Sequence, residues 1–257
     1  MIAVTTFATD QFAAAQLARC QSALAFGANQ VTLWGRQELQ ATEFYRAHRG
    51  ILDEPRGAGY WLWKPYIILD GLERLRPGDV LIYCDSGSAA NQPTFTRPLR
   101  TLVDWCCEHA DGMLPGVYLP QWGPTRWWTK GECFQVMGCD DDAILDHPQI
   151  QATFSVWRQQ QESIDFVREW LRWCTVPAAI LDRKVDPSIP DDPGFKEHRH
   201  DQSILTILAL QHGLRCFGAP WEMRGKSKDI NVLIDRIDGR VAPRVIVPPG
   251  SAAVSPA

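Results

Sequence analysis

Short continuous apolar runs alternate along this chain with stretches in which apolar residues recur every three or four positions. The first pattern predicts buried strands, and the second predicts amphipathic helices. Their alternation up to about position 217 is typical of one mixed α/β domain. The predicted strands are Ile2–Phe7, Gln30–Trp34, Asp79–Cys84, Gly116–Leu119, Gln151–Trp157 and Leu214–Phe217. The predicted helices run from Thr9 or Asp10 to about Phe26 and over Glu38–His48, Pro65–Leu75, Phe95–His109, Glu162–Trp173 and Asp201–His212.

Two stretches lack these patterns. Asp182–Glu197 is rich in proline and aspartate, which predicts a long loop before the last helix. Beyond Ile237 the sequence turns to Pro, Ala, Val and Ser, so residues 239–257 are expected to form a loose tail. We therefore expect a single domain over residues 1–238.

Composition narrows the class of protein. The chain has 257 residues and a formal net charge of −4, so a broad polyanion-binding face and a nucleic-acid partner are not expected. Its eight cysteines form no Cys-x-x-Cys pair, which favours free thiols in a reducing cytosol. The first ten residues contain no basic residue, so a signal peptide is not expected, and no apolar run is long enough to span a membrane. The expected location is the cytoplasm, either free or peripheral to the membrane.

A glycine-rich aromatic segment and the strand after it carry the clearest chemical signal. The segment places Lys64 directly before Pro65, and proline is favoured as a first helical residue. A lysine there meets the positive end of the helix dipole, which is unfavourable unless an anion binds nearby. Asp85 directly follows the strand Asp79–Cys84, at the edge where α/β sheets bind ligands. A cation and a carboxylate at one edge suit a phosphate and its metal ion.

Each of these residues also has a purely structural interpretation. Asp85 would cap the Asp-Ser-Gly turn, and Lys64 would reach solvent from an otherwise apolar helix. The glycines at positions 57 and 59 favour either a surface turn or a loop that lets the backbone approach a ligand. Mg²⁺ and Mn²⁺ are often held by one or two carboxylates plus phosphates. Asp85 would therefore be enough to bind such an ion if another part of the chain supplies a second acidic side chain.

A second polar cluster, His198 to Gln202, opens the last apolar helix. Asp201 belongs to a residue type favoured at helix N-caps, and in that interpretation the histidines are solvated. Two histidines, an arginine, an acid and an amide in one turn also indicate a binding site. His198 or His200 would then ligate a metal, although a lone histidine is more often structural.

Three segments in this order, GYWLWKP, GDVLIYCDSG and EHRHDQSILTIL, resemble motifs of A-type nucleotide-sugar glycosyltransferases of the bacterial polysaccharide-locus type. The resemblance spans about Thr6 to Phe217 and implies a single GT-A, Rossmann-like α/β domain with a mixed central sheet. In such enzymes a donor-binding part, here about residues 1–120, precedes an acceptor-binding part, here about 121–238. The implied reaction moves a sugar from a nucleoside-diphosphate donor, a UDP- or GDP-sugar, to a hydroxyl acceptor that is expected to be a glycan.

The resemblance also implies roles for individual residues. Asp85 matches the first aspartate of the motif that binds a divalent ion, Mn²⁺ or Mg²⁺, and His198 is expected to join it as a metal ligand. The usual motif has a second aspartate where this chain has Gly87, so metal dependence stays open. The residues implied to bind the donor are Thr6, Arg56, Lys64, Asp85, Ser86 and Gly87.

The Asp-Gln pair that opens the last helix resembles the pair found in retaining sugar transferases. Asp201 would hold the donor sugar, and Gln202 would lie beneath the anomeric carbon as the second catalytic residue. Ser203 departs from that motif, in which an acid is commoner at this position. An inverting reaction stays open, with Asp201 as the general base that deprotonates the acceptor.

The tryptophan-rich stretch Gln121–Phe134 is expected to bind the acceptor through Trp127, Trp128 and Lys130. Indole faces pack on the C–H surfaces of sugars, although these tryptophans would equally serve to pin a loop onto the core. The basic loop Arg224–Lys228 is expected either to be solvated or to close over the donor phosphates with Lys226 and Lys228.

Two other functions stay open. A non-catalytic carbohydrate-binding module would use the tryptophans alone and would bind no nucleotide. A transferase that acts on nucleic acid would need a basic acceptor face, which the acidic balance of the chain argues against.

Overall fold

A computed structural model describes residues 1–87, 95, 98–118, 120–217 and 245–246. The strands are β1 (Ile2–Phe7), β2 (Gln30–Trp34), β3 (Val80–Cys84), β4 (Met113–Leu114), β5 (Val117–Tyr118), β6 (Ile150–Gln151), β7 (Phe154–Arg158), β8 (Cys216–Phe217) and β9 (Val245–Ile246). The helices are α1 (Ala13–Ala25), α2 (Arg36–Gln40), α3 (Glu43–Ala47), α4 (Arg49–Leu52), α5 (Gly57–Tyr60), α6 (Trp63–Arg74), α7 (Leu99–His109), α8 (Gly131–Val136), α9 (Asp142–Leu145), α10 (Gln161–Cys174), α11 (Pro177–Ile180) and α12 (Asp201–Gln211).

A five-stranded sheet with the order β2-β1-β3-β7-β4 forms the centre of the fold. β1 runs parallel to β2 and β3, whereas β7 is antiparallel to both of its neighbours, β3 and β4. The expectation of an α/β fold with a mixed central sheet is therefore confirmed. Because β1 and β3 are parallel neighbours, their carboxyl ends lie side by side at one edge of the sheet.

Apolar side chains bury both faces of this sheet. On one face, Leu81 and Trp157 belong to a core cluster that includes the apolar residues of α6, α10 and α12. On the other face, Val4, Ile82 and Val156 pack in a cluster with residues of α1 and α7. Every residue of β1 and β3 is buried, and apart from Thr5 and Thr6 these strands consist of apolar residues, as expected for strands covered on both faces.

Three predicted elements are divided or shortened for local reasons. Glu38–His48 contains two short helices, because the Thr42 hydroxyl accepts a hydrogen bond from the Tyr45 N–H at 3.0 Å and begins a new helix. Helix α7 begins only after Pro98, which lacks the N–H that a helix interior needs. The stretch Gln151–Trp157 is divided between β6, which pairs with β5, and β7 of the central sheet.

Within the stretch expected to be a loose tail, residues 245–246 form strand β9, which pairs antiparallel with β8. The other residues of 239–257 lie outside the described part of the chain. No helix in the described ranges is both long and apolar enough to cross a membrane. The following cysteines are free thiols, as expected: Cys20, Cys84, Cys106, Cys107, Cys133, Cys139 and Cys174.

Candidate functional site

Three charged side chains from distant parts of the chain meet at the carboxyl edge of the sheet. The Lys64 ammonium lies 3.0 Å from Oδ2 of Asp201 and 3.9 Å from Oδ1 of Asp85. Lys64 comes from the first turn of α6, Asp85 directly follows β3, and Asp201 opens α12. The side chains of Lys64 and Asp201 are each 4% exposed, whereas that of Asp85 is 37% exposed. These three residues are referred to below as the Lys64 cluster.

The anion that a lysine at this helix start requires is supplied by the chain itself. Burial of Lys64 opposes its charge, but the carboxylates of Asp201 and Asp85 outweigh burial and raise its pKa. Burial also raises the pKa of Asp201 to about 6, and the attraction of Lys64 limits that rise. Both groups are therefore charged at neutral pH, and Asp201 becomes protonated in mildly acidic solution.

Asp201 does not cap α12 through its side chain, which was the structural interpretation of this residue. The N-cap position belongs to His200, and no side chain makes a capping hydrogen bond there. The backbone carbonyl of Asp201 accepts a hydrogen bond from Nε1 of the buried Trp170 at 2.9 Å. The side-chain carboxylate faces Lys64 instead.

Asp85 is the member of the cluster that faces solvent. The hydroxyl of buried Tyr83 donates to Oδ1 of Asp85, the same oxygen that faces Lys64. The Asp85 N–H donates to the carbonyl of Thr153 at 2.9 Å, which fixes the backbone just after β3. None of the described residues donates a hydrogen bond to Oδ2 of Asp85, so this oxygen is available to a hydroxyl group, an N–H or a cation.

Tyr83 belongs to this site, although its sequence pattern was not recognised as that of a site residue. The sequence did indicate that Tyr83 lies near Asp85. Residues two apart in a strand lie on the same face of a sheet, and Tyr83 stands two positions before Asp85. Burial, followed by the charge of Asp85, raises the pKa of Tyr83 well above its ordinary value. Tyr83 therefore remains a neutral hydroxyl that donates to the carboxylate.

A left-handed turn precedes Lys64. Residues 57–61, which include α5, all have positive φ angles, between 52° and 97°. Such a conformation costs roughly 1–2 kcal/mol for each residue other than glycine, so the turn is held in place by its surroundings. A Cβ atom on Gly59 would lie 2.5 Å from the Cα of Leu52, which explains why glycine is required there.

The turn packs two aromatic rings against the start of α12. The ring centroids of Tyr60 and Trp61 lie 4.6 Å and 5.7 Å from that of His200. His200 directly precedes Asp201, and Trp61 lies three positions before Lys64. The turn therefore fixes the start of α6 relative to the start of α12, and so aligns the buried ion pair.

Thr6 and Ser86 lie at the same sheet edge but are buried. Their Oγ atoms are 2.9 Å apart, and the Ser86 hydroxyl also lies within hydrogen-bonding distance of the Phe7 carbonyl. These contacts join the residues after β3 to the end of β1. Gly87 has a φ of +81°, which an aspartate at this position would adopt only with strain. Thr6 and Ser86 thus hold Asp85 in place and do not fit the direct donor contact expected of them.

His198 does not fit its expected role as a metal ligand. It is buried, its Nδ1 accepts a hydrogen bond from the Lys130 N–H at 3.4 Å, and its Nε2 donates to the Ala179 carbonyl at 2.7 Å. Burial, and then repulsion by His200, hold the pKa of His198 well below its ordinary value. His200 is similar, because its Nδ1 bonds the Ile180 carbonyl at 2.8 Å and burial lowers its pKa to about 4. Both are neutral, structural histidines.

Asp85 consequently lacks a partner for a divalent ion. Among the described residues, no three His, Cys, Asp or Glu side chains are grouped closely enough to hold a metal ion. Asp201 is enclosed with Lys64, whose ammonium repels another cation, and Gly87 stands where a second aspartate would be needed. These residues by themselves do not fit the Mn²⁺ or Mg²⁺ that was expected.

The amide group of Gln202 is engaged at both ends. Its Nε2 donates to Oε1 of Gln149 at 2.6 Å, and its Oε1 accepts a hydrogen bond from the Ala152 N–H at 3.3 Å. These bonds attach α12 to the segment around β6. The expected place of Gln202 beneath an anomeric carbon stays a prediction.

Arg56 is fixed to the long loop that precedes α12. Its guanidinium lies 3.2 Å from the carboxylate of Asp182 and 3.0 Å from that of Glu197. The arginine therefore joins the left-handed turn to the loop, and its expected contact with the donor stays a prediction. Two further cations expected near the phosphates, Lys226 and Lys228, lie outside the described residues.

Lys130 does not belong to an exposed acceptor surface, contrary to expectation. Its side chain is 2% exposed, and its ammonium lies 3.0 Å from the Glu132 carboxylate and 3.3 Å from the carbonyl of Arg183. Glu132 also accepts hydrogen bonds from the N–H groups of Val185 and Asp186. This buried pair anchors the beginning of the long loop.

Trp127 and Trp128 are half-buried, and the ring of Trp128 lies beside that of Trp122. Two cations that the sequence analysis did not assign to this region, Lys196 and Arg199, lie over the indole rings. Arg199 belongs to the polar cluster His198 to Gln202 that the sequence indicated as a binding site, but only the fold shows that it contacts the tryptophans. Whether an acceptor binds this surface stays a prediction.

Comparison with known proteins gives matches among solved structures alone. No family model matches the chain, and no curated protein matches it. The chain is similar to the apo structure of WbbM, a bifunctional glycosyltransferase, with a TM-score of 0.45 and 12% identity over 80% of this chain. It spans only 37% of the WbbM chain. It is also similar to the galactosyltransferase LgtC in complex with donor and acceptor sugar analogs, with a TM-score of 0.38 and 15% identity over 80% of this chain and 70% of that one.

Proposed function

We propose that this chain is a glycosyltransferase that binds a UDP- or GDP-sugar beside Asp85 and transfers the sugar to a hydroxyl acceptor, expected to be a glycan. The Lys64 cluster is the observation that carries this proposal. Each of the three segments that resemble glycosyltransferase motifs contributes one member of the cluster. Segments that are far apart in the chain therefore meet at one point, at the edge of the sheet where α/β proteins bind ligands.

Stability alone does not explain a buried pair such as Lys64 and Asp201. Removing two charges from water costs several kcal/mol, and replacing such pairs by apolar residues is often neutral or stabilising. Groups whose pKa values are strongly shifted, as that of Asp201 is, are also concentrated at functional sites. One solvent-facing carboxylate held by a buried ammonium, which is itself paired with a second, enclosed carboxylate, is the arrangement of a ligand-binding site.

Within this proposal, Asp85 is the group that contacts the ligand. Its open Oδ2 accepts hydrogen bonds from hydroxyl groups of the donor sugar or ribose. Lys64 holds Asp85 from the interior, and its charge and the dipole of α6 favour the negative charge that develops on the leaving diphosphate. Asp201 is a positioning residue, because it is enclosed and orients Lys64.

The enclosure of Asp201 favours retention over inversion. Inversion would use Asp201 as the base for the acceptor hydroxyl, but its carboxylate is 4% exposed and faces Lys64. In the retaining reaction, the acceptor oxygen bonds to the anomeric carbon as the bond from that carbon to the phosphate oxygen breaks. The acceptor proton passes to the departing phosphate oxygen, so the reaction needs no carboxylate base. The anomeric configuration of the product reports this directly.

Calorimetry with UDP, GDP and ADP, and with the sugar conjugates of those that bind, tests the proposal. We expect UDP or GDP to bind, and the Asp85→Asn variant to bind the sugar conjugate about tenfold more weakly, because an amide holds hydroxyl groups less well than a carboxylate. The matched control is Asp104→Asn, which changes an exposed acid of α7 and should leave binding unchanged. If no nucleotide binds, the chain is better explained as a non-catalytic carbohydrate-binding module.

The same titrations, run once with Mn²⁺ and once with EDTA, test the expected metal. Equal binding in both conditions would agree with the absence of a protein-formed metal site among the described residues. Binding that requires Mn²⁺ would mean that the donor phosphates and Asp85 hold the ion together.

A further inference from the structure

The long loop before α12 runs beside the tryptophan-rich segment and is bonded to it through the backbone. The N–H of Lys196 donates to the carbonyl of Trp127 at 2.8 Å, and the N–H of Arg199 donates to the carbonyl of Trp128 at 3.0 Å. The Nε1 of Trp128 donates to the carbonyl of Trp122 at 2.9 Å. These three bonds fix the register between the two segments, so the side chains above them have defined positions.

Two cations are held over the indole rings as a result. The Lys196 ammonium lies 4.2 Å from the ring centroid of Trp127 and 4.9 Å from that of Trp128. The Arg199 guanidinium carbon lies 4.9 Å from Trp128 and 5.1 Å from Trp122. Both cations are within the distance at which the ring quadrupole attracts a positive charge. These five residues are called the cation–indole array.

The array carries positive charge that the described residues do not fully neutralise. Arg199 pairs with Glu197 at 2.5 Å, and Glu197 is shared with Arg56. Lys196 is exposed, and no acidic side chain in the described ranges lies within ion-pair distance of it. The ammonium of Lys196 is therefore a positioned, solvent-facing charge without a counter-ion in this part of the chain.

The array also lies close to the candidate site. Arg199 stands two positions before Asp201 of the Lys64 cluster. The Ser203 hydroxyl, in the first turn of α12, donates to the carbonyl of Trp128 at 2.7 Å. A molecule on the array would thus approach the same end of α12 that carries Asp201.

We propose that the cation–indole array binds the acidic group of the acceptor, a carboxylate or a phosphate carried on a carbohydrate. This proposal rests on the proposed function and names the class of acceptor. The half-buried indoles offer apolar surface to the C–H groups of a sugar, and Lys196 offers its charge to the acid beside that sugar. A neutral sugar would gain only the first of these contacts. Lys196 and Arg199 take the place that the sequence analysis gave to Lys130.

Tryptophan fluorescence provides the readout, because three indoles form the array. The full chain is titrated with methyl β-glucoside, methyl β-glucuronide, glucose 6-phosphate and inorganic phosphate. We expect the two acidic sugars to bind about fivefold more tightly than the neutral glycoside, and the preference to shrink at high salt. The glucuronide and the sugar phosphate distinguish a carboxylate from a phosphate as the preferred acid.

Variants test the role of Lys196 directly. Lys196→Gln should reduce the preference for acidic sugars to that of the neutral glycoside, and Lys196→Arg should restore it. Arg100→Gln removes an exposed charge from α7, where Arg100 pairs with Asp104, and should preserve the preference. Melting temperatures of all variants show whether the fold is intact, and the exposure of Lys196 makes a large loss of stability unexpected.

Three outcomes would overturn the inference. They are equal binding of the neutral and acidic sugars, an unchanged preference in Lys196→Gln, and inorganic phosphate binding as tightly as glucose 6-phosphate. The last would mean that the array selects a small anion and not a carbohydrate acid. Because these titrations contain no nucleotide, the inference can fail while UDP or GDP still binds. A failure of nucleotide binding would instead contradict the proposed function.

Discussion

At the scale of single residues, the interior charge of Lys64 determines the arrangement of the candidate site. Burial disfavours the charge of an ammonium, and so does a position at the positive end of a helix dipole. The carboxylates of Asp201 and Asp85 offset both effects. Asp201 pairs with it inside the protein, and Asp85 meets it from the solvent side. This arrangement leaves Oδ2 of Asp85 open among the described residues, so that it can accept a hydrogen bond from a polar ligand.

Removing one member of the buried pair should expose how strongly the two depend on each other. Lys64→Met leaves Asp201 buried without its cation, and Asp201→Asn leaves Lys64 with only the more distant Asp85. We expect each single change to lower the free energy of unfolding by about 3–5 kcal/mol. The double variant should lose less stability than the sum of the two single losses. With both charges removed, neither Lys64 nor Asp201 is left buried without its partner.

Urea unfolding of the wild type, the two single variants and the double variant measures this coupling. Arg74→Met serves as a control, because Arg74 is 71% exposed and pairs with Asp70 on the surface of α6. Its effect should stay below about 1 kcal/mol. Additive losses in the double variant would show that the ion pair does not act as a unit.

At the scale of elements, the left-handed turn at residues 57–61 and the loop before α12 act together. The turn supplies aromatic rings that pack on His200, and Arg56 just before it binds Asp182 and Glu197 of the loop. The start of α6 and the start of α12 are positioned through these contacts. A local backbone conformation therefore has consequences for a pair of charges in two different helices.

A Cβ atom at position 59 should disturb this arrangement. Gly59→Ala adds a methyl group 2.5 Å from the Cα of Leu52, at a φ of +97° that alanine rarely adopts. We expect a loss of about 2 kcal/mol or more in the free energy of unfolding and weaker nucleotide binding. Gly50→Ala is the matched control, because position 50 lies in α4 with no atom within 4 Å of the added Cβ. Equal stability of the two variants would contradict the importance of the turn.

At the scale of the whole molecule, buried titratable groups link stability to pH with opposite signs. The pKa values of His198 and His200 are lowered by burial, the first well below its ordinary value and the second to about 4. Between about pH 4 and 6.5 the unfolded chain therefore binds protons at these positions that the folded protein does not. Asp201, with a folded pKa of about 6, takes up a proton in the folded state in the same range.

The two histidines should outweigh the aspartate. We expect the free energy of unfolding to rise with pH between about 4 and 6.5, with a slope near 1.4 kcal/mol per pH unit for each net proton. Burial lowers the pKa values of His48 and His147 as well, which adds to the slope. The Asp201→Asn variant lacks the proton uptake by Asp201 that opposes the histidines, so its free energy of unfolding should rise more steeply with pH. Urea unfolding across this pH range checks both expectations, and a flat profile would contradict them.

Local patterns were sufficient to predict much of the fold. Ile2–Phe7 and Gln30–Trp34 were predicted with the bounds that the structure shows. Two predictions failed where a single residue interrupts a pattern. Thr42 begins a new helix inside Glu38–His48, and Pro98 delays the start of α7. Caps and prolines act over one turn, which is shorter than the window on which periodicity depends.

The sequence by itself determined the α/β class, the strand that ends at Asp85 and the helix that begins near Lys64, because these follow from interactions between near neighbours in the chain. Only the tertiary structure decided which partner each charge receives. Lys64 receives Asp201, Lys130 is enclosed with Glu132 and the Arg183 carbonyl, and the cations over the tryptophans come from a loop. Such pairings depend on which surfaces the fold brings together and which it removes from water, and periodicity along the chain carries no information about either.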